Sequence, residues 1–434
     1  MTALYATVAL LVLTLGSGIW VALALSGTGM GIISYFHSVP MLKQLGISIW
    51  NSATGETMIA LPLFILMAEI LFRTKLADSL FSGLAPWVTW LPGKLVHTNI
   101  IGCTMFAAVS GSSAATTATV GRVTLGELQR RKYKLPLAMG SLAGAGTLGF
   151  LIPPSTMLII YGVLAEESIL KLFLAGVVPG LIIAGCYVVY VVIYASFFDK
   201  DNEIPEETVT YTAKDRLVGL LQLGPVVFLI ILLMAAMYGG WASPTEAAAV
   251  GVLGSLLIAL FQRCLTWEGL KHAMTGAART SSMVGFIVIA AVYLSQAMAY
   301  VGVPGLLAGK IAALGLSPIV LIFILMIFYM FMGCIMEGLS IMVMTIPITL
   351  PLILQAGYDK IWFGIFLVLM VEMAQITPPV GFNLFVIQGI TGQDIGRITR
   401  ATIPFFLIMA AFTMLIAFFP QIVTYIPAHV VLRG

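Results

Sequence analysis

Long apolar stretches separated by short polar loops run through almost the whole chain, a pattern that predicts a membrane protein with many helices. A helix needs about 20 apolar residues to cross a bilayer. Stretches that reach or nearly reach this length are residues 3–25, 47–72, 170–198, 217–238, 245–261, 281–300 and 401–419. No basic segment precedes the first stretch, so it is predicted to be a retained span rather than a cleaved signal.

Two further apolar stretches are too short to cross and end in turns of small or polar residues. Residues 96–108 run into Ser110-Gly111-Ser112-Ser113, and residues 319–332 run into Met336-Glu337-Gly338. A second short limb follows each turn. Backbone turns at membrane depth are tolerated only where protein or a polar cavity surrounds them. The pattern therefore predicts two re-entrant hairpins.

Two proline pairs interrupt segments that otherwise resemble spans, at residues 135–165 and 361–390. Each proline lacks the N–H that would bond four residues back, so Pro153 and Pro154 free the carbonyls of Gly149 and Phe150. An unsatisfied polar group costs several kcal/mol in hydrocarbon. Two such broken helices in one apolar chain predict a transporter's substrate and ion site.

The two halves of the chain share this pattern of a hairpin followed by a broken helix, at a constant offset. A shift of 225 places maps Pro153, Pro154 and Pro179 onto prolines, which predicts an internal repeat. Placing the loops at residues 73–95, 121–134, 199–216, 262–280 and 391–400 in the cytoplasm puts 16 of the 21 lysines and arginines inside. This topology predicts inverted repeats, a cytoplasmic N-terminus and a periplasmic C-terminus.

The fold class predicted is an all-α polytopic membrane protein with inverted repeats, two re-entrant hairpins and two broken helices. Apolar residues at 76, 80, 81, 84, 87 and 91 predict an amphipathic arm that lies at the membrane interface or packs on protein.

Composition excludes several classes of protein. With 60% hydrophobic and 9% charged residues the chain lies far outside globular composition. It contains no phosphate-binding glycine loop for ATP and no nucleophile elbow of a serine hydrolase. We therefore expect a membrane-embedded transporter, with no enzymatic activity and no nucleic-acid partner.

Each hairpin tip is predicted to meet the broken helix of its own repeat and to offer oxygen ligands to a small cation. Hard cations without redox chemistry prefer such ligands, and sodium is the natural candidate. The predicted Na⁺ ligands are Ser110, Gly111, Ser112, Ser113, Gly149 and Ile152 at the first site, and Met336, Glu337, Gly338, Ala374 and Thr377 at the second. The alternative is that the small residues only allow close helix packing.

Helix N-termini at Ser113, Ser155 and Val380 would direct partial positive charge at an anionic substrate. The predicted substrate-binding residues are Ser112, Ser113, Pro154, Ser155, Gly338, Pro379, Val380 and Asn383. Glu337 and Glu372 are the acids predicted deepest in the membrane. Glu372 is expected either to take part in function or only to brace its helix.

Five motifs resemble the large membrane subunit of tripartite ATP-independent periplasmic (TRAP) transporters. They are residues 107–113 (AAVSGSS), 146–155 (GTLGFLIPPS), 172–176 (LFLAG), 243–251 (SPTEAAAVG) and 376–385 (ITPPVGFNLF). The resemblance implies an elevator-type sodium symporter of the bacterial inner membrane for organic acids such as C4-dicarboxylates or sialic acid. It also implies two partners, a small four-helix membrane subunit and a periplasmic substrate-binding protein. The units that it implies are scaffold spans and arm (1–92), a first transport half (93–198), a cytoplasmic linker (199–216), further scaffold spans and arm (217–304) and a second transport half (305–434).

Two positions depart from the pattern of that family. Glu337 stands where an aspartate is expected, and Ala374-Gln375 replaces a glycine followed by an apolar residue. Two alternatives remain open from the sequence. One is a single-component proton-coupled organic anion transporter, and the other is a passive anion channel.

Overall fold

A computed structural model describes residues 2–37, 40–198, 211–313 and 315–429, and within these ranges the chain is helical and has no strand. Six of the helices are long and apolar enough to cross a membrane. In chain order the helices are α1 (Thr2–Gly16), α2 (Val21–Phe36), α3 (Met41–Ala53), α4 (Glu56–Leu71), α5 (Leu76–Val88), α6 (His97–Ser110), α7 (Ser113–Arg130), α8 (Leu135–Thr147), α9 (Thr156–Ala165), α10 (Ile169–Ile193), α11 (Ala213–Tyr238), α12 (Pro244–Phe261), α13 (Trp267–Tyr300), α14 (Val303–Ala313), α15 (Pro318–Gly333), α16 (Gly338–Gln355), α17 (Lys360–Ala374), α18 (Phe382–Thr391), α19 (Ile395–Phe418) and α20 (Gln421–His429).

The internal repeat is confirmed by the helix boundaries. A shift of 225 places carries α7 onto residues 338–355, which are the bounds of α16. The same shift carries α8, α9 and α10 onto α17, α18 and α19 within two residues at each end. The Pro153–Pro154 and Pro378–Pro379 bonds, which the shift also superposes, are both cis. Both predicted hairpins are present, as α6–α7 and α15–α16.

The two broken helices run in opposite directions, as inverted repeats require. Near the end of α9, the Tyr161 hydroxyl donates to the carbonyl of Lys360, the first residue of α17, over 2.6 Å. The Lys360 ammonium in turn donates to the carbonyl of Ala165, the last residue of α9, over 3.1 Å. The first broken helix therefore ends beside the start of the second.

Two predicted spans near the N-terminus are each divided in the structure. The single span predicted over residues 3–25 is wrong, because α1 ends at Gly16 and α2 begins at Val21 after Gly18 adopts a positive φ of 77°. The span predicted over residues 47–72 is interrupted at Thr54 and Gly55, where α3 and α4 meet at a bend of 54°. Gly18 has a left-handed conformation that glycine adopts without strain, whereas Gly55 is extended, with φ of −64° and ψ of 130°, a conformation open to any residue.

Two predicted polar segments are shorter than the sequence suggested. The loop expected over residues 262–280 is largely helical, since α13 begins at Trp267 and runs unbroken through 34 residues. Of the predicted linker, residues 199–210 lie outside the described residues, and residues 213–216 already belong to α11. The Thr212 side chain and Asp215 form a capping box there, which fixes the start of α11.

The predicted amphipathic arm is α5, and protein covers its apolar stripe from Leu76 to Leu84. Leu76, Leu80 and Leu84 are buried, and Gly83 meets Gly219 of α11 closely enough that a Cβ would lie 2.8 Å from the Gly219 carbonyl oxygen. Trp87 and Trp90 remain exposed at the end of the arm. The packed form of the arm, one of the two alternatives, is thus observed.

A glycine face on α8 brings the first broken helix against α19. A Cβ on Gly140 would collide with the backbone carbonyl of Ala401, and one on Gly144 would lie 2.7 Å from the Cβ of Phe405.

We predict that Gly140→Ala destabilises the protein by about 1–3 kcal/mol, because the clash is with backbone that cannot rotate away. Thermal unfolding in detergent, followed by size-exclusion fluorescence, measures the change.

Gly126→Ala on α7 is the matched control, because nothing lies within 4 Å of the new methyl group. Equal melting temperatures for the two variants would contradict the close α8–α19 contact.

Candidate ion and substrate site

The first hairpin tip lies directly on the first helix break. A Cβ added to Gly149 would lie 2.6 Å from the carbonyl oxygen of Ser112, so only glycine allows this approach. Gly111 adopts a left-handed conformation with φ of 57°, and its carbonyl accepts hydrogen bonds from the Thr156 hydroxyl at 2.7 Å and from the Thr156 N–H at 3.4 Å. The predicted meeting of tip and break is therefore present in the first repeat.

Side chains satisfy part of the backbone that the first proline pair leaves unpaired. The Ser155 hydroxyl donates to the carbonyl of Phe150, which Pro154 cannot reach, and its oxygen accepts from the N–H of Leu158 at 3.3 Å. Ser155 is thus the N-cap of α9. At the tip itself, the Ser110 hydroxyl lies 2.6 Å from that of Thr116.

The second tip packs on the second break in the same way. A Cβ on Gly338 would collide with the side chain of Val371, and one on Gly333 would lie 2.6 Å from the Cβ of Ala374. Glu337 is the N-cap of α16, and its carboxylate accepts a hydrogen bond of 3.4 Å from the Ser340 hydroxyl. Beyond the break, the Asn383 N–H donates to the Gln375 carbonyl at 3.0 Å, which bridges the unwound residues.

The two tips face one cavity of about 300 Å³. Its opposite wall comes from α4 and α13, through Ile65, Ala68 and Met283 among others. From the transport halves it receives Ser110, Ser112, Phe150, Thr156, Glu337 and Gln375. The cavity thus brings together hydroxyl, amide and carboxylate oxygens from both repeats, and its volume is at the lower end of small-ligand sites.

The sequence-predicted site residues divide into three groups. Ser110, Ser112 and Glu337 line the cavity. The residues that pack where the tips meet the breaks are Gly111, Gly149, Gly338, Ala374 and Pro154. Three others, Ile152, Met336 and Thr377, lie in or beside those turns. The Thr377 hydroxyl donates to the Met373 carbonyl at 2.7 Å. Ser113, Ser155 and Asn383 are fully buried, whereas Pro379 and Val380 are exposed; none of these five lines the cavity.

Two of the three predicted helix starts are displaced along the chain. The helix expected to begin at Ser155 begins at Thr156, because Ser155 serves as its N-cap. The helix expected at Val380 begins at Phe382, because the N–H of Gly381 still bonds back to the Thr377 carbonyl at 2.9 Å. The third begins at Ser113 as predicted.

Sequence reasoning missed several cavity residues and left two alternatives for the role of Glu372. Thr156 and the scaffold residues Glu69 and Thr280 line the cavity without having been predicted. Glu69, an acid within an apolar stretch, was the one detectable signal; it pairs with Arg73 at 3.4 Å. Glu372 is fully buried and does not line the cavity, and neither of its carboxylate oxygens has a hydrogen-bond partner among the described residues.

Several known permeases are similar to this chain in sequence over most of its length. The C4-dicarboxylate TRAP transporter large permease protein DctM of Pseudomonas aeruginosa is 31% identical over 94% of this chain and 93% of its own length. The ectoine/5-hydroxyectoine TRAP transporter large permease protein UehC of Ruegeria pomeroyi is 29% identical over 93% of both. The sialic acid TRAP transporter large permease protein SiaM of Vibrio cholerae is 25% identical over 94% of this chain and 96% of its own length.

Among solved structures, the Alcanivorax borkumensis YdaH transporter superposes with a TM-score of 0.65, covering 92% of this chain and 96% of its own at 13% identity. The Neisseria gonorrhoeae efflux pump MtrF superposes with a TM-score of 0.58 at 14% identity, covering 89% and 84%. At these identities the likeness concerns the fold. Residues 6–422 match the family described as tripartite ATP-independent periplasmic transporter, DctM component, and the chain belongs to that family of large TRAP permeases.

Proposed function

We propose that this permease imports a small organic acid by symport with sodium ions, moving its two hairpins and broken helices as an elevator past α4 and α13. The observation that supports this most directly is the shared cavity, onto which both tips open their oxygen atoms. The resemblance of the chain to TRAP permeases for a C4-dicarboxylate and sialic acid supports the substrate class.

The charge of the cavity favours cation coupling. Its described lining holds the carboxylate of Glu337, which pairs with no cation of the described residues, and that of Glu69, which pairs with Arg73 at 3.4 Å; no lysine, arginine or histidine is part of the lining. An organic anion entering such a cavity without compensation would meet a repulsive field in a low dielectric. Sodium ions held at the tips would supply the missing positive charge, so substrate and cations would bind together.

The residues at the tips suit sodium. Carbonyl, hydroxyl and carboxylate oxygens are the ligands that hard cations take. At the first tip, Ser112 and Gly149 approach so closely that no side chain separates their backbone groups. At the second tip, Glu337 would add a negative charge to neutral oxygens, so the two sites would differ in ligand chemistry.

The position of the cavity favours an inward-open state. It meets the part of α4 that ends near Arg73, which the distribution of basic residues assigns to the cytoplasm. A separate cavity of about 290 Å³ lies at the other end of α4 and α13, lined by residues such as Asn51, Glu166 and Gln296. In the proposed cycle, a periplasmic binding protein delivers substrate from that side of the inner membrane, and a small membrane subunit completes the complex.

A reconstituted complex of this permease, its small subunit and its binding protein should accumulate substrate only under an inward sodium gradient. The substrate panel should contain succinate, sialic acid and ectoine, since relatives are named for such solutes. Ectoine carries a positive group that the two cavity acids would favour. Uptake of radiolabelled solute into proteoliposomes measures accumulation.

Accumulation of equal size on a proton gradient without sodium would instead support the proton-coupled alternative. Flux that neither saturates nor accumulates would support a passive channel.

Thr156→Val should weaken the apparent affinity for sodium by about two- to tenfold, because it removes the hydroxyl that holds the Gly111 carbonyl at the first tip. The side chains have nearly the same shape, so folding should change little. Sodium titration of uptake measures the effect. Thr124→Val is the control, since its buried hydroxyl bonds only within α7, to Val120 at 2.9 Å. Similar sodium curves for both variants would contradict the first site.

Glu337→Gln should weaken sodium affinity by about tenfold, because the second site would lose its only charged ligand. The Glu337 side chain is exposed to the cavity, so the loss in binding energy should be smaller than the Coulomb energy of a fully buried ion pair. Glu69→Gln removes a carboxylate from the same cavity but away from the tips, where Arg73 already pairs with it. The Glu69 variant should therefore keep sodium affinity near the wild-type value. A larger loss in Glu69→Gln than in Glu337→Gln would place the second site elsewhere.

A further inference from the structure

A buried hydrogen bond joins the two repeats at their functional ends. The amide nitrogen Nδ2 of Asn383 donates to the hydroxyl oxygen of Ser113 over 2.8 Å, and both residues have no exposed surface. Ser113 is the first residue of α7, at the first tip, and Asn383 is the second residue of α18, just beyond the second break. The bond therefore connects elements 270 residues apart in sequence.

Each partner is also attached to its own site through the backbone. The Asn383 N–H donates to the carbonyl of Gln375, and Gln375 lines the cavity at the second tip. The backbone nitrogen of Ser113 lies 2.9 Å from where a Cβ on Gly149 would be, at the first contact of tip and break. A shift of either tip would thus be transmitted through the hydrogen bond to the other.

The bond is absent from the equivalent place in the other repeat. The shift of 225 places carries Ser113 onto Gly338 and Leu158 onto Asn383, so the counterpart pair has neither hydroxyl nor amide. The repeat architecture therefore stands without such a bond, and Asn383 serves something beyond the fold of each repeat.

Packing alone also gives no reason for an amide at this position. The Oδ1 atom of Asn383 is buried and has no hydrogen-bond partner among the described residues. A buried polar atom without a partner costs stability, whereas an apolar side chain of similar size would fill the space without that cost. A bond that transmits position between the tips accounts for the asparagine.

We propose that Asn383 is a positioning residue that couples the two cation sites through Ser113, so that sodium bound at one tip raises sodium affinity at the other. This inference rests on the proposed sodium symport. Coupling between sites in proteins typically changes affinity by about 5- to 150-fold. Because coupling is reciprocal, either site can be filled first with the same gain.

The test measures sodium binding to the purified transporter complex in lipid nanodiscs by calorimetry. Asn383→Ala removes the side-chain bond and keeps the backbone N–H that bonds Gln375. We expect two sodium ions to bind still, a Hill coefficient that falls from about two towards one, and at least fivefold weaker half-saturation. In a Ser113→Ala background, Asn383→Ala should cause no further loss, whereas Ser113→Thr, which keeps a hydroxyl, should preserve cooperativity.

Asn99→Ala is the matched control. Asn99 is equally buried, in the first transport half, and its Nδ2 also donates to a serine hydroxyl, that of Ser141 at 2.9 Å, but away from both tips. Its Hill coefficient should stay that of the wild type. If Asn383→Ala misfolds, Ser113→Ala tests the same bond from its other end, with Ser113→Thr as reference.

Unchanged cooperativity in Asn383→Ala, or additive losses in the double variant, would overturn the coupling while leaving sodium symport intact. A wild-type complex that binds no sodium would instead overturn the proposed function itself.

Discussion

Backbone that leaves helical form inside a membrane must find hydrogen-bond partners, and this constraint shapes the centre of the molecule. Around the first proline pair, the Ser155 hydroxyl reaches the Phe150 carbonyl and the Thr156 hydroxyl reaches the Gly111 carbonyl. Around the second, the Asn383 N–H bridges to the Gln375 carbonyl. The hairpin tips are held in place because they take part in the hydrogen bonds that satisfy this unwound backbone.

The two repeats solve the same backbone problem with different side chains. The first tip uses serines and a threonine, which are neutral, whereas the second places Glu337 at the start of α16. Glycines at 149 and 338 allow the close approach in both cases, since a Cβ at either would strike the opposing segment. The two tips therefore share a geometry but differ in charge.

Sequence patterns predicted the repeat, both hairpins and both breaks, because prolines and glycines leave local signals that no packing can override. The interruptions at Gly18 and Gly55 were missed, since apolar residues continue through them and hydropathy alone does not register a change of direction. Cavity residues on α4 and α13 were missed for another reason. Thr280 and Met283 resemble ordinary span residues, and only the tertiary fold brings them opposite the tips.

The wall formed by α4 and α13 has a mechanical consequence. Across the cavity it presents mainly methyl groups and thioethers, such as those of Ile65, Ala68 and Met283, and no hydrogen bond joins the described residues of these helices to either tip. Contacts of this kind depend on shape and have no fixed direction. In the proposed elevator movement, the tips would meet steric friction along this wall but would have no hydrogen bond to it to break, so the roughness of the apolar surface would set the rate of movement.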